Sequence, residues 1–186
     1  HRDLHVRSRR QRQMCIRDSC FASIIDSVTF NPPQILAGSM NKAFYEGAPS
    51  ISRNRQRLFY TGNASERVVF RERNREKKHI QLSKEGINIL KVFVAEYSDT
   101  GWINSSELPF NSLEYSCTHP SISDDNRTLF FVSNMPGGYG GYDLYYSKKT
   151  DTSWSKPLNL GPQINSAADE MTPFILGDSL FFSSKG

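Results

Sequence analysis

Cysteine is scarce in this chain: three residues, at positions 15, 20 and 117, with no Cys-x-x-Cys spacing among them. That scarcity argues against a structural zinc site and gives a disulfide framework nothing to build on. Long apolar runs are missing as well, since none approaches the roughly twenty residues of a membrane-spanning helix. Nor do apolar positions recur every three to four residues over any length, which excludes a helical solenoid. A Gly-x-Ser-x-Gly nucleophile elbow is absent from the 186 residues. His119 stands before a proline with no nucleophile and third partner beside it, so no catalytic residue, metal site or cofactor is expected.

An excess of charge is lacking too, once the first nineteen residues are set aside. His1 to His5 and Arg9 to Ser19 resemble the in-frame translation of a DNA-sequencing adaptor, with Val6-Arg7-Ser8 where its variable index would lie. Residues 1–19 are therefore read as a non-native, disordered segment and left out of the fold reasoning. They carry six Arg and two Asp, so setting them aside takes the 23 basic and 19 acidic residues to 17 of each. The basic balance of the whole chain then gives no reason to expect nucleic acid as a partner.

What is present is a sentence written three times. Pro49-Ser50-Ile51-Ser52 leads through a turn to Leu58-Phe59-Tyr60, Pro120-Ser121-Ile122-Ser123 to Leu129-Phe130-Phe131, and Pro173-Phe174-Ile175 to Leu180-Phe181-Phe182. Behind the core, Val92-Phe93-Val94-Ala95 and Asp99 precede Trp102 at the offsets by which Leu144-Tyr145-Tyr146-Ser147 and Asp151 precede Trp154. Asn41, Asn111 and Asn165 each come eight or nine residues before the next Pro49, Pro120 or Pro173. A long-period repeat marks a unit that buries its apolar face by stacking on its neighbours.

Each unit reads as four short strands separated by turns, such as Asp124-Asp125-Asn126, whose side chains bond their own backbone. Short aromatic strands at even spacing, with one motif per unit, predict an all-β chain and, more finely, a partial β-propeller of about two and a half four-stranded blades. The expected divisions are lead-in strands from a preceding blade or linker at 20–44, repeat 1 at 45–114, repeat 2 at 115–168 and the start of repeat 3 at 169–186. The first spacing between prolines is 71 residues against 53 for the second, and the excess, 66–86, predicts a hairpin insertion with a solvated face. A closed ring needs roughly four to eight blades, so the chain is expected to be a piece of a longer protein.

Pro49, Pro120, Pro173, Trp102 and Trp154 are read as structural positions of the repeat, the tryptophans as blade-core anchors. The stretch Pro136 to Asp143 is glycine-rich but leads into a strand rather than a helix, which removes the phosphate-loop reading. Two readings remain open for it. It is a tight connection needing positive φ, with Asp143 bonding backbone, or an exposed interaction loop presenting Tyr139, Tyr142 and Asp143.

The motifs Ser-x-Asp-Asp-Asn-Arg-Thr-Leu-Phe-Phe-Val-Ser, Met135 to Tyr145, Asn159-Leu160-Gly161 and Ile164-Asn165-Ser166 resemble the TolB-type, WD-repeat-like propeller repeats of OmpA-family outer-membrane proteins. Those proteins join a tetratricopeptide region and this propeller to a peptidoglycan-binding domain. The resemblance implies a non-catalytic protein-interaction scaffold in the periplasm, associated with the outer membrane. It implies partners among envelope proteins, with links to secretion or gliding machinery, and peptidoglycan only through a domain absent here. The alternatives are the substrate-gating propeller of a prolyl-oligopeptidase-type serine peptidase, or a glycan-binding propeller.

Overall fold

The computed structural model describes residues 20–35, 49–63, 65–70, 75–80 and 88–186; the adaptor-like segment 1–19 and Asn41 lie outside them. Among the described residues there is no helix and every named element is a strand. In chain order these are β1 (Cys20–Phe21), β2 (Gln34–Ile35), β3 (Ser50–Ile51), β4 (Arg57–Asn63), β5 (Ser65–Phe70), β6 (Arg75–Ile80) and β7 (Leu90–Ser98). They continue with β8 (Gly101–Glu107), β9 (Cys117–Ile122), β10 (Thr128–Ser133), β11 (Asp143–Lys148), β12 (Leu158–Asn159), β13 (Glu170–Leu176) and β14 (Ser179–Ser184). The protein is all-β and its pairings are antiparallel.

Two four-stranded sheets carry the architecture. The first runs β3-β4-β7-β8 and the second β9-β10-β11-β12, so in each the strands lie side by side in chain order. Such a meander follows from short connections, which let each antiparallel strand pair with the one just made. β5 and β6 form a separate two-stranded pair between the second and third strands of the first sheet, where the repeat carries its extra length. β1 with β2, and β13 with β14, make two further pairs.

Alternation along the strands gives each complete sheet two apolar faces. Phe59 and Val92, with Leu108 and Phe110 from the connection that follows, leave one face of the first sheet and meet Cys117, Ile122, Leu129, Phe131 and Tyr145 of the second. Phe110 stacks on Phe131 with centroids 4.5 Å apart and planes 6° from parallel. Trp154 sets its edge on Phe59 at 5.8 Å. The opposite face of the first sheet gathers Leu58, Tyr60, Phe93, Ala95 and Trp102 into a second buried cluster. Each fully buried aromatic of this kind contributes about 1.5–3 kcal/mol of hydrophobic free energy.

The fourth strands differ between units. Trp102 lies within β8, but Trp154 makes an isolated bridge to Lys149, and the second sheet closes only at Leu158–Asn159. Pro157 stands between them and has no N–H to give, so the ladder does not run on from Trp154 to Leu158.

Candidate functional site

The residues that recur at fixed spacing do matching work in both sheets. Asn111 accepts the Val92 N–H at 3.0 Å and donates to the Val92 carbonyl at 2.7 Å. Asn165 does the same to Leu144, at 2.8 and 3.0 Å. Each asparagine amide thus imitates a strand partner at the start of a third strand, satisfying a backbone donor and acceptor together.

The turns match in the same way. Ser52 and Ser123 accept the N–H of Arg57 and of Thr128, each at 2.9 Å, and donate to Asn54 Oδ1 and Asp125 Oδ1. Those oxygens accept the N–H of Gln56 and of Arg127 at 3.2 and 2.9 Å. Asn54 therefore fills the place of Asp125 without a charge. The Asp125 carboxyl is held below its usual range, first by the Ser123 hydroxyl and then by the Arg127 N–H. The residue one past it turns left-handed, Arg55 with φ 57° and Asn126 with φ 59°.

Between sheets the repeat uses serine. Ser50 Oγ accepts the Ile122 N–H at 3.1 Å, and Ser121 Oγ accepts the Ile175 N–H at 3.0 Å. The residues before Pro120 and Pro173 are also left-handed, His119 with φ 49° and Thr172 with φ 51°, at a break in the register of each ladder. Such a bulge re-aims the strand. His119 is half-buried, donates its N–H to Thr61 Oγ1 at 2.9 Å, and has its imidazole pKa lowered by desolvation. Pro120 and Pro173 are buried beside these residues, and Pro49 is exposed.

In the glycine-rich loop Asp143 is 1% exposed. Its carboxylate accepts the Tyr139 N–H at 2.6 Å, the Gly140 N–H at 2.9 Å and the Asn159 amide at 2.9 Å. Gly137 has φ 91°. A side chain on Gly140 would meet the Ala168 carbonyl at 1.9 Å, so the loop lies flush on the connection before β13. Of the three loop residues singled out in the sequence, Asp143 is turned inward to hold the loop, Tyr142 is half-buried and Tyr139 is half exposed. In the first sheet the Asp143 and Asn159 positions are Lys91 and Glu107, joined by an ion pair at 2.8 Å.

Sequence reasoning passed over two groups. Glu170 is fully buried and accepts hydrogen bonds from the hydroxyls of Ser166 at 2.6 Å and Ser184 at 2.8 Å. Its place in an apolar-looking strand gave no signal. Two clefts were also invisible. One, of about 320 Å³, lies where Arg57, Glu96 and Glu107 of the first sheet face Lys149, Asp151 and Trp154 of the second. The other, about 750 Å³, is lined by the 51–56 turn with Tyr97 and Trp102. Cys117 is buried in the core between the two sheets, and burial pushes its thiol up to about 12, so it stays protonated at neutral pH. Among the described residues no group of three His, Cys, Asp or Glu side chains is placed to hold a metal ion, and no helix is long and apolar enough to cross a membrane.

The class defined by this geometry is an all-β protein of stacked antiparallel sheets that repeat one set of polar ties. No protein-family model matches the chain, and no curated protein matches it.

Proposed function

We propose that the chain is part of a β-propeller and serves as a non-catalytic interaction module of a cell-envelope scaffold, periplasmic and associated with the outer membrane. The observation that carries this reading is how the recurring polar residues are used. Asn111, Asn165, Ser50, Ser121, Ser52 and Ser123 all bond backbone within or between sheets. The repeat is thus committed to building a rigid stack, while the loop carrying Tyr139 is pinned from beneath by Asp143 and left open above. Rigid presentation of an aromatic side chain is what a protein-binding surface needs. Partner recognition then falls to Tyr139 and Tyr142, and peptidoglycan attachment to a domain outside this chain.

The test is to export the chain to the periplasm of a Gram-negative host and fractionate the envelope. The expected result is co-sedimentation with the outer membrane, lost when Tyr139→Ala and Tyr142→Ala are combined. Recovery of the wild-type chain in the soluble periplasm, or no change in the double variant, defeats the reading. A glycan-binding role is the second reading, favoured by the exposed ring of Tyr139; it requires signal on a glycan array that Tyr139→Ala abolishes.

A further inference from the structure

The cleft of about 320 Å³ between the two four-stranded sheets combines an apolar floor with charges of both signs. Along the ladder joining β4 to β7, Arg57 stands opposite Glu96 and Phe59 opposite Val94. Cross-strand partners, and residues two apart on one strand, share a face, so all four look toward the second sheet. Phe59 and Leu108 are buried and form the base of the cleft with Val94. Trp154, half-buried and packed against the same core, stands on the far wall, where its bridge to Lys149 closes the turn that carries Asp151.

Four charged groups ring this floor without neutralising one another. Opposite charges at directly paired strand positions ordinarily join. Yet among the described residues the half-buried Arg57 guanidinium makes neither a hydrogen bond nor an ion pair. Glu96 accepts instead from the Asn104 amide at 3.2 Å. On the far wall the side chains of Lys149 and Asp151 are likewise without a partner among the described residues. Glu107, the remaining charged group, is already held by Lys91 at 2.8 Å. The repeat does not require this set, because the matching positions in the second sheet are Thr128, Phe130, Tyr146 and Lys148. There the Tyr146 ring lies 6.3 Å from that of Phe130, and Lys148 Nζ stands 5.9 Å from the Tyr146 ring centre. A tyrosine and its cation thus take the room that Val94 leaves open in the first sheet.

We propose that this cleft binds a small zwitterion with an apolar side chain, an amino acid or a dipeptide. The ligand carboxylate lies on the Arg57 guanidinium, whose fork matches a carboxylate in bidentate fashion, with Lys149 as the second cation. The ligand ammonium lies between Glu96 and Asp151, and its side chain covers Phe59, Val94, Leu108 and Trp154. Charge selects this class. A simple anion would meet two carboxylates and a simple cation two cations, and such like-charge contacts cost affinity. A neutral sugar would cover both pairs of charges and satisfy neither sign. Size agrees, since about 320 Å³ lies at the low end of the roughly 300–1,000 Å³ of ligand sites.

The test is the tryptophan fluorescence of the chain titrated with L-leucine and with L-leucyl-L-leucine, neither of which fluoresces, so that a change reports on Trp154. The expected result is a saturable change with at least one of them. Acetylating the amine of the tighter ligand, or converting its carboxylate to the amide, is expected to weaken binding about tenfold or more, as is Arg57→Gln, since each removes one charge-assisted pair. Val94→Tyr gives the first sheet the residue that the second already carries, and is expected to fold and not to bind. Lys148→Gln, outside the cleft, is expected to bind as the wild type does. Urea midpoints show that each variant is folded, and if Val94→Tyr is not, Arg57→Gln decides. No saturable change at millimolar ligand overturns the proposal, and so does undiminished binding by the capped ligands or by Arg57→Gln. Saturation by maltose in place of the zwitterions overturns it in favour of a neutral glycan.

Discussion

At the scale of single residues, stability concentrates in side chains that look unremarkable. Asn165 is 3% exposed, and its amide is the partner of both the N–H and the carbonyl of Leu144. Truncation strands the buried Leu144 N–H, which costs about 1–3 kcal/mol when unsatisfied, whereas the carbonyl keeps the Leu160 N–H at 3.1 Å. Asn165→Ala is therefore expected to lower the unfolding free energy by roughly 1–3 kcal/mol in urea titrations. Asn111→Ala should cost less, since Asn111 is only half-buried and water can replace part of what is lost. His119 sets a pH dependence. Desolvation lowers its pKa from 6.5 in the fold, so as pH drops below that value the unfolded chain takes up a proton that the folded chain refuses. Stability is full above the unfolded pKa and falls with pH below it. The melting temperature should decline between neutral pH and mildly acidic pH, and decline less in His119→Asn, which keeps a residue tolerant of the left-handed backbone.

At the scale of elements, turns and loops are specified by backbone conformation as much as by contacts. Asn126 has φ 59° and its Oδ1 accepts the Arg53 N–H at 3.2 Å. Ala and Gly both delete that bond, but only Ala bears the left-handed penalty, so Asn126→Ala should unfold more easily than Asn126→Gly by about 1 kcal/mol, read from paired urea midpoints. Gly140→Ala should do more damage, because the added methyl meets the Ala168 backbone 1.9 Å away and the loop must lift; overpacking of this kind costs about 1–3 kcal/mol. These elements were legible to different degrees. The Ser-x-Asp turn and the Leu-Phe-Phe strand could be read from one stretch of chain, because the bonds that fix them are local. The asparagine clamps could not, since each joins positions 19 or 21 residues apart, and spacing alone shows that Asn111 and Asn165 recur without showing what they hold. The Lys91–Glu107 pair was hidden because its counterpart, Asp143 with Asn159, reverses the polarity. Asp143 read either as a residue bonding backbone or as part of an exposed loop, and its carboxylate lies buried beneath that loop on the Tyr139 and Gly140 N–H groups.

At the scale of the whole molecule, one repeated position reports how much of the stack lies over it. Phe59, Phe130 and Phe181 occupy the same place in three successive units, each on the face turned toward the next sheet. Phe59 is 1% exposed, packed against the second sheet and met edge-on by Trp154; Phe130 is half-buried; Phe181 is 56% exposed. Identical Phe→Ala changes should therefore have graded effects. Phe59→Ala opens a cavity between two sheets and should cost about 3–5 kcal/mol. Phe130→Ala should fall between, since β13 packs against β10 and the ring is only half-buried. Phe181→Ala should stay within about 0.5 kcal/mol, as at other exposed sites. Urea unfolding of the three variants tests the gradient, and equal costs at all three positions would mean that the sheets do not depend on their neighbours.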